Sequence, residues 1–215
     1  MHINLKQIFF SLFIFTSVLS AAENTNSVIY VSSVKLNNPA QDRISGEIVL
    51  NDNIKILNIV LEKKPNSTNI LKLPEYISKR GKIYPQVRIL DKKVNDEIIR
   101  CMLNAAPGSI KGSKEPAWEI SKFSLYRAKK KSVLRIFASV KFNKSIEIEC
   151  KVFDNDKPDG IWVNWPSKES VVVKKEYIPQ VIIKKELREK IEKELIKKYL
   201  VFKEEGGVAS VSDDW

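Results

Sequence analysis

Two stretches, "KIYPQVRI" at Lys82–Ile89 and "EYIPQVII" at Glu176–Ile183, share a Pro-Gln-Val core inside an apolar run. A chain rich in Lys and Ile can produce one such echo by chance, so the question is whether the surroundings repeat with it. They do. Asn143 follows Asn51 by 92 residues, Pro166 follows Pro74 by 92, and Gln180 follows Gln86 by 94. Turn, proline stop, Pro-Gln-Val strand and helix keep their order, and two extra residues in the intervening loop account for the last offset. The spacing points to a tandem duplication.

Working outward, the first copy opens with the β-branched run "SVIYVSSVKL", which predicts a strand. "RISGEIVL" and "NIKILNIVL" flank Asn51-Asp52, two residues that tolerate positive φ and so suit a hairpin turn. The apolar phase slips between Ile56 and Leu57, which is the mark of a β-bulge. "ILKLP" predicts a short strand stopped by Pro74, "YPQVRIL" another, and Lys92–Asn104 a helix with Val94, Ile98, Cys101 and Met102 inward. After the Gly- and Pro-containing linker the order recurs: "WEISKFSLYR", "SVLRIFASVKF" and "SIEIECKVF" about Asn143-Lys144, "GIWVNWP", "IPQVII". A helix is predicted from about Lys184 to Phe202, with Leu187, Ile191, Leu195 and Tyr199 on one stripe and Glu186–Lys190, Glu189–Lys193 and Glu194–Lys198 as i,i+4 pairs.

The N-terminus reads "MHINLKQIFFSLFIFTSVLSAAE": a basic residue, an apolar run from Ile8 to Leu19, and Ser20-Ala21-Ala22 before Glu23. That is the anatomy of a secretory signal peptide, so the chain is expected to be exported and cleaved after residue 22. Export leaves Cys101 and Cys150 free to form a disulfide, but both fall on apolar stripes, which favours buried thiols.

Composition argues against catalysis. The single histidine, His2, lies in the leader, and the chain has neither a Gly-rich phosphate loop nor a metal-spaced Cys/His cluster. Asp154, Asp156 and Asp159 crowd one loop without the spacing of a calcium loop and read as a solvated turn. Ser167 and Lys168 are neighbours in a strand, so they point to opposite faces and do not form a Ser–Lys pair. No cofactor is expected. What remains is charge. The formal net charge is +11, and residues 23–115 and 116–215 each carry five more bases than acids. The candidate contacts for an anionic partner are Lys79, Arg80 and Lys82; Arg127, Lys129, Lys130 and Lys131 at a predicted hairpin tip; Lys168; and Lys184, Lys185 and Arg188. Trp118, Trp162 and Trp165 offer stacking faces, although the alternation in "GIWVNWP" sends at least one aromatic into the core.

The second copy resembles a known family. "VFDNDKPDGIWVNWPSK", Val152–Lys168, is similar to the signature of the SpoVG septation-protein family, in which a glycine opens an alternating strand that Pro-Ser-Lys closes. The resemblance covers most of Trp118–Phe202; the first copy keeps "VKL", the Asn51-Asp52 hairpin, Leu73-Pro74 and a closing helix but lacks Pro-Ser-Lys. It implies an α+β protein of two tandem SpoVG-like modules, each an antiparallel sheet followed by a C-terminal helix, paired as an intramolecular pseudo-dimer. The expected boundaries are a signal peptide at 1–22, module 1 at 23–104, a linker at 105–115, module 2 at 116–203 and a tail at 204–215. It further implies a non-enzymatic role in septation and cell division, with DNA or RNA binding in some members. Two functions follow. One is an exported envelope scaffold or interaction module that meets an envelope polymer, lipid head groups or a protein partner; the other is a nucleic-acid-binding regulator. Further homo-oligomerisation stays open.

Overall fold

A computed structural model describes residues 28–39, 42–64, 68–126, 132–158, 160–170, 172–173 and 176–205. The expected leader, the basic run 127–131, Asp159 and the segment 206–215 lie outside the described residues. The fold is mixed α+β, with mostly antiparallel sheets and two helices.

In the first half, β1 (Val31–Pro39), β2 (Arg43–Leu50), β3 (Ile54–Glu62) and β4 (Ile70–Lys72) pair in succession. The second half repeats this with β8 (Trp118–Leu125), β9 (Leu134–Phe142), β10 (Ile146–Asp154) and β11 (Ile161–Asn164). The period of two in the sequence sets the faces: Ile44, Ile48 and Leu50 of β2, and Ile146, Ile148, Cys150 and Val152 of β10, all turn inward. Both long hairpins close on two left-handed residues, Asn51 and Asp52 (φ 49° and 56°) and Asn143 and Lys144 (φ 47° and 56°). This is the turn geometry whose twist matches that of paired strands. The slip in β3 is a bulge: Gly46 faces Ile59 and Ile48 faces Ile56, with Asn58 left-handed at φ 55° between them.

The Pro-Gln-Val stretches depart from expectation. Each was predicted as one strand, and each is two. The first divides into β6 (Ile83–Pro85), which forms a hairpin with β5 (Glu75–Ile77), and β7 (Val87–Ile89). The second divides into β13 (Tyr177–Pro179), which pairs with β12 (Ser167–Glu169), and β14 (Val181–Ile183). The break is a change of sheet. β7 leaves its own half and pairs with β10, and β14 leaves its half and pairs with β3. Gln86 and Gln180 are the crossing points, and both are buried. Gln86 donates its N–H to Pro74 O of its own half at 3.0 Å, while its carbonyl accepts the N–H of Glu149 from the other half at 2.9 Å. Gln180 does the same with Pro166 O (2.7 Å) and Leu57 N–H (2.9 Å). A residue whose two backbone groups serve different sheets cannot continue a single ladder, which is why the strands stop there.

The helices follow at once. α1 (Lys92–Asn104) is capped by the Asp91 side chain on Lys93 N–H and ends on left-handed Ala105, with Ala106 N–H bonded to Cys101 O. Its buried residues are Val94, Ile98, Cys101 and Met102, as the periodicity predicted. α2 (Lys185–Glu204) buries Leu187, Ile191, Leu195 and Tyr199. Its ion pairs differ from the expected set: Lys185 reaches Glu189, Arg188 reaches Glu192, and Lys190 extends to Glu115 of the linker at 2.6 Å rather than to Glu186. Each helix start is tied to the other half, Leu90 N–H to Ser145 O (2.7 Å) and Lys184 N–H to Asn53 O (2.8 Å). Asn51, fully buried, fastens the linker: its amide donates to Val28 O and Ser113 O and its carbonyl accepts from Tyr30 N–H. The buried apolar residues form one cluster drawn from both halves, with Val87, Val181 and Ile183 of the crossing strands inside it.

Cys101 and Cys150 are free and buried, and burial pushes both thiols above their ordinary range, Cys101 to about 11. The expected solvated Asp turn is corrected at its first member. Asp154 continues the inward phase of β10 and is 1% exposed; it accepts from Tyr199 Oη at 2.9 Å and Lys203 Nζ at 2.7 Å. No helix among the described residues is long and apolar enough to cross a membrane.

Candidate functional site

The outward faces of the two sheets are built from matching positions and carry different chemistry. In the first sheet, Ser45 stands opposite Val60 and Glu62 opposite Ile70, and the face is tied by ion pairs Lys55–Glu47 (2.7 Å) and Lys72–Glu62 (2.6 Å). At the same lattice points of the second sheet, Phe137 stands opposite Lys151 and Phe153 opposite Trp162. The two halves therefore share a strand layout, and one outward face carries rings where the other does not.

The rings are organised. Phe153 and Trp162 stack with centroids 5.2 Å apart and planes 9° from parallel, leaving Trp162 42% exposed. Tyr126 meets Phe137 edge-on at 5.5 Å. The crossing of β7 carries the β5–β6 hairpin onto this side, where Tyr76 and Tyr84 lie 6.2 Å apart. Lys151 joins the two sets: its ammonium lies 5.4 Å from the Tyr76 centroid and 5.6 Å from that of Phe137. The loop before β11 fixes the position of Trp162. Gly160 N–H binds Lys157 O, and a Cβ on Gly160 would lie only 1.8 Å from Asn155 Oδ1, so the loop needs glycine there.

Polar groups fill the rest of the face. Arg88 of β7 pairs with Glu147, whose other oxygen accepts from Ser121 Oγ at 2.5 Å. Arg135 pairs with Asp156 at 2.8 Å. Glu149 lines a recess of about 30 Å³ with Gln86, Lys151, Asn164 and Ser167. Burial raises its carboxyl above the ordinary range, against the lowering effect of Lys151, Lys122 and Arg88. A raised folded-state value means that the charged form costs stability above it, and that the cost is relieved as pH falls through it. Glu149→Gln is therefore expected to raise the thermal midpoint at pH 7, with the difference closing as the pH approaches 4. A lower midpoint for the variant at pH 7 would show that the carboxylate holds a contact worth more than its burial costs. Asn164, Trp165, Pro166 and Ser167 form the wall shared with a larger groove of about 440 Å³, which runs past Tyr177 to Arg188 and Glu192 of α2. Trp165 donates Nε1–H to Glu192 there at 2.8 Å.

The cations expected to meet an anionic partner are dispersed. Lys79, Arg80 and Lys82 lie at the β5–β6 turn, exposed, with Lys82 5.1 Å above the Tyr84 ring. Lys168 is exposed on β12, beside the groove. Lys184, Lys185 and Arg188 open α2, each facing a carboxylate (Glu186, Glu189 and Glu192). Arg127, Lys129, Lys130 and Lys131 lie outside the described residues. The first cluster therefore borders the ring-bearing face, and the helix cluster is partly neutralised. Among the described residues no group of three His, Cys, Asp or Glu is placed to hold a metal. Sequence reasoning missed Phe137, Phe153, Tyr76 and Tyr84. The signal was available in the outward phase of β9 and β10, where Phe137, Lys151 and Phe153 alternate with core residues.

No family model matches the chain, and neither a curated protein nor a solved structure matches it.

Proposed function

We propose that this chain is a non-enzymatic binding scaffold, exported by its leader, made of two SpoVG-like modules locked as an intramolecular pseudo-dimer, with its ligand surface on the outer face of the second sheet. The observation that carries this is the unequal pair of faces. Duplicated positions hold Ser45, Val60, Glu62 and Ile70 on one side and Phe137, Lys151, Phe153 and Trp162 on the other. The ring pairs add some cross-strand stabilisation, and the exposed part of Trp162 and Tyr76 supplies contact area for a partner. The reciprocal pairing of β7 and β14 supports the pseudo-dimer, since each half supplies the strand that completes the other's sheet. The septation role rests on the family resemblance.

The experiment is retention of the purified chain on isolated envelope material, compared with Trp162→Ala/Phe153→Ala and with Lys55→Ala/Lys72→Ala on the opposite face. Loss of retention in the first variant alone is expected; equal retention by all three sinks the assignment. Intact mass of the native protein, starting at Glu23 in an exported fraction, is the matching check on the address.

Nucleic-acid regulation is the second reading, favoured by the combination of stacked rings with Lys151 and the Lys79–Arg80–Lys82 border. It requires binding of a single-stranded oligonucleotide that survives physiological salt; affinity gone by about 0.2 M salt is only the charge of the chain.

A further inference from the structure

We infer that the ligand of the ring-bearing face is a glycan strand, held by its sugar faces on the rings and by its hydroxyls on the polar recess. The inference rests on the binding-face reading above and names the chemistry of that site. The face is not a plain apolar patch, and its charge is mixed. Within the face two cations are paired with acids, Arg88 with Glu147 and Arg135 with Asp156, and Lys151 lies near Glu149, while Lys79, Arg80 and Lys82 stand at its border. A phosphate backbone gains affinity by replacing counterions on unmatched cations, and at the recess it would instead meet the carboxyl of Glu149. An uncharged polyhydroxyl chain meets no such repulsion. Carboxylates and amides are good acceptors and donors for hydroxyls, and rings present the flat apolar surface that the C–H face of a pyranose covers.

The layout fits an extended ligand. Trp162 stacks on Phe153 at one end and Tyr76 lies across Lys151, with the recess of Glu149, Asn164 and Ser167 close by. A groove of about 440 Å³ shares Asn164, Trp165, Pro166 and Ser167 with that recess and is lined on its other side by Tyr177, Arg188 and Glu192. That volume falls in the range of small-ligand sites and suits one or two sugar rings.

Calorimetry on the full chain tests this, using a hexamer of β-1,4-linked N-acetylglucosamine, a cellulose hexamer and a twelve-residue oligothymidylate as probes. At least one sugar hexamer is expected to bind, with an affinity that changes less than about twofold between about 0.05 and 0.3 M salt. Trp162→Ala is expected to weaken it about tenfold or more, and Lys72→Ala to leave it unchanged. Thermal melts of both variants are the check that each is folded. Sugar binding that ignores Trp162→Ala overturns the assignment, as does oligothymidylate binding in the absence of sugar binding. The two readings fail separately. If the ring variants lose envelope retention while neither sugar hexamer binds, the face stands and the glycan falls; if the ring variants retain everything, both fall.

Discussion

A chain cut once in its linker, at a protease site inserted after Ile110, will run as a single particle of unchanged size, and neither fragment will fold alone. The reason lies in β7 and β14. Val87 and Ile89 face Ile148 and Ile146 across the ladder, and Val181 and Ile183 face Ile56 and Ile54. Val87, Val181 and Ile183 are each at most 3% exposed. Burying one such side chain contributes about 1.5–3 kcal/mol, so removing the partner fragment strips several kcal/mol from each sheet and bares the edge of β3 or β10. A small domain of marginal stability does not survive that loss. The linker itself contributes mainly effective concentration. Converting a millimolar local concentration to a micromolar solution costs about 4 kcal/mol, so the nicked particle should persist at micromolar protein but unfold in a concentration-dependent transition. Size-exclusion chromatography of the nicked chain, before and after separation and remixing in denaturant, is the measurement. Two fragments that separate without denaturant and keep their circular dichroism would show that each half is self-sufficient and that the crossing strands are incidental.

That exchange marks the limit of what the sequence revealed about the fold. The 92-residue offsets and the two Asn turns were enough to foresee the recurring strand order and the two hairpins, because local rules fix them: positive φ at Asn51 and Asn143 and alternation along β2 and β10. Both helices and their buried stripes were legible for the same reason. The crossing was not. "YPQVRIL" and "IPQVII" have the alternation of a continuous strand, and nothing in that pattern says that Gln86 and Gln180 divide their backbone groups between two sheets. Periodicity reports which face of a residue is buried, and it is silent about which strand covers it. The one compositional hint was a polar residue in an apolar run, since Gln is seldom buried in the middle of a strand.

For the candidate site, charge was the more visible feature and the rings the less visible one. Lysines stand out in a sequence, whereas a ring that shares a strand with isoleucines looks like core. Phe137 and Phe153 were legible only by asking which phase they occupy, and Trp162 only by pairing β11 with β10. Tyr76 could not be placed from the sequence, since it reaches the second sheet through the crossing of β7.

Asp154→Ala should destabilise the chain by about 3 kcal/mol, the largest loss expected from any single polar side chain here. Its carboxylate is buried at the end of β10 and joins that strand to the last turn of α2 through Tyr199 Oη and Lys203 Nζ, while its other oxygen accepts Asp156 N–H at 2.7 Å. Burial alone would raise this carboxyl. The Lys203 ammonium, the Asp156 N–H and the Tyr199 hydroxyl together outweigh burial and hold it below the ordinary carboxylate range. The sign of the pH dependence follows. A folded-state value below the unfolded one, about 3.9, gives stability that is fully present above that value and is lost as pH falls from there through the folded value. The gap in unfolding free energy between the native chain and Asp154→Ala should therefore be constant from pH 7 to about pH 5 and narrow below about pH 4. Asp154→Asn keeps an acceptor for Tyr199 and should lose less, and it should show the same narrowing, because the charge is what titrates. Urea melts at stepped pH give all three curves. A gap near 1 kcal/mol or less at pH 7 would mean that α2 is held by Leu187, Ile191 and Leu195 alone, and a gap that widens in acid would reverse the assignment of the carboxylate as the stabilising charge.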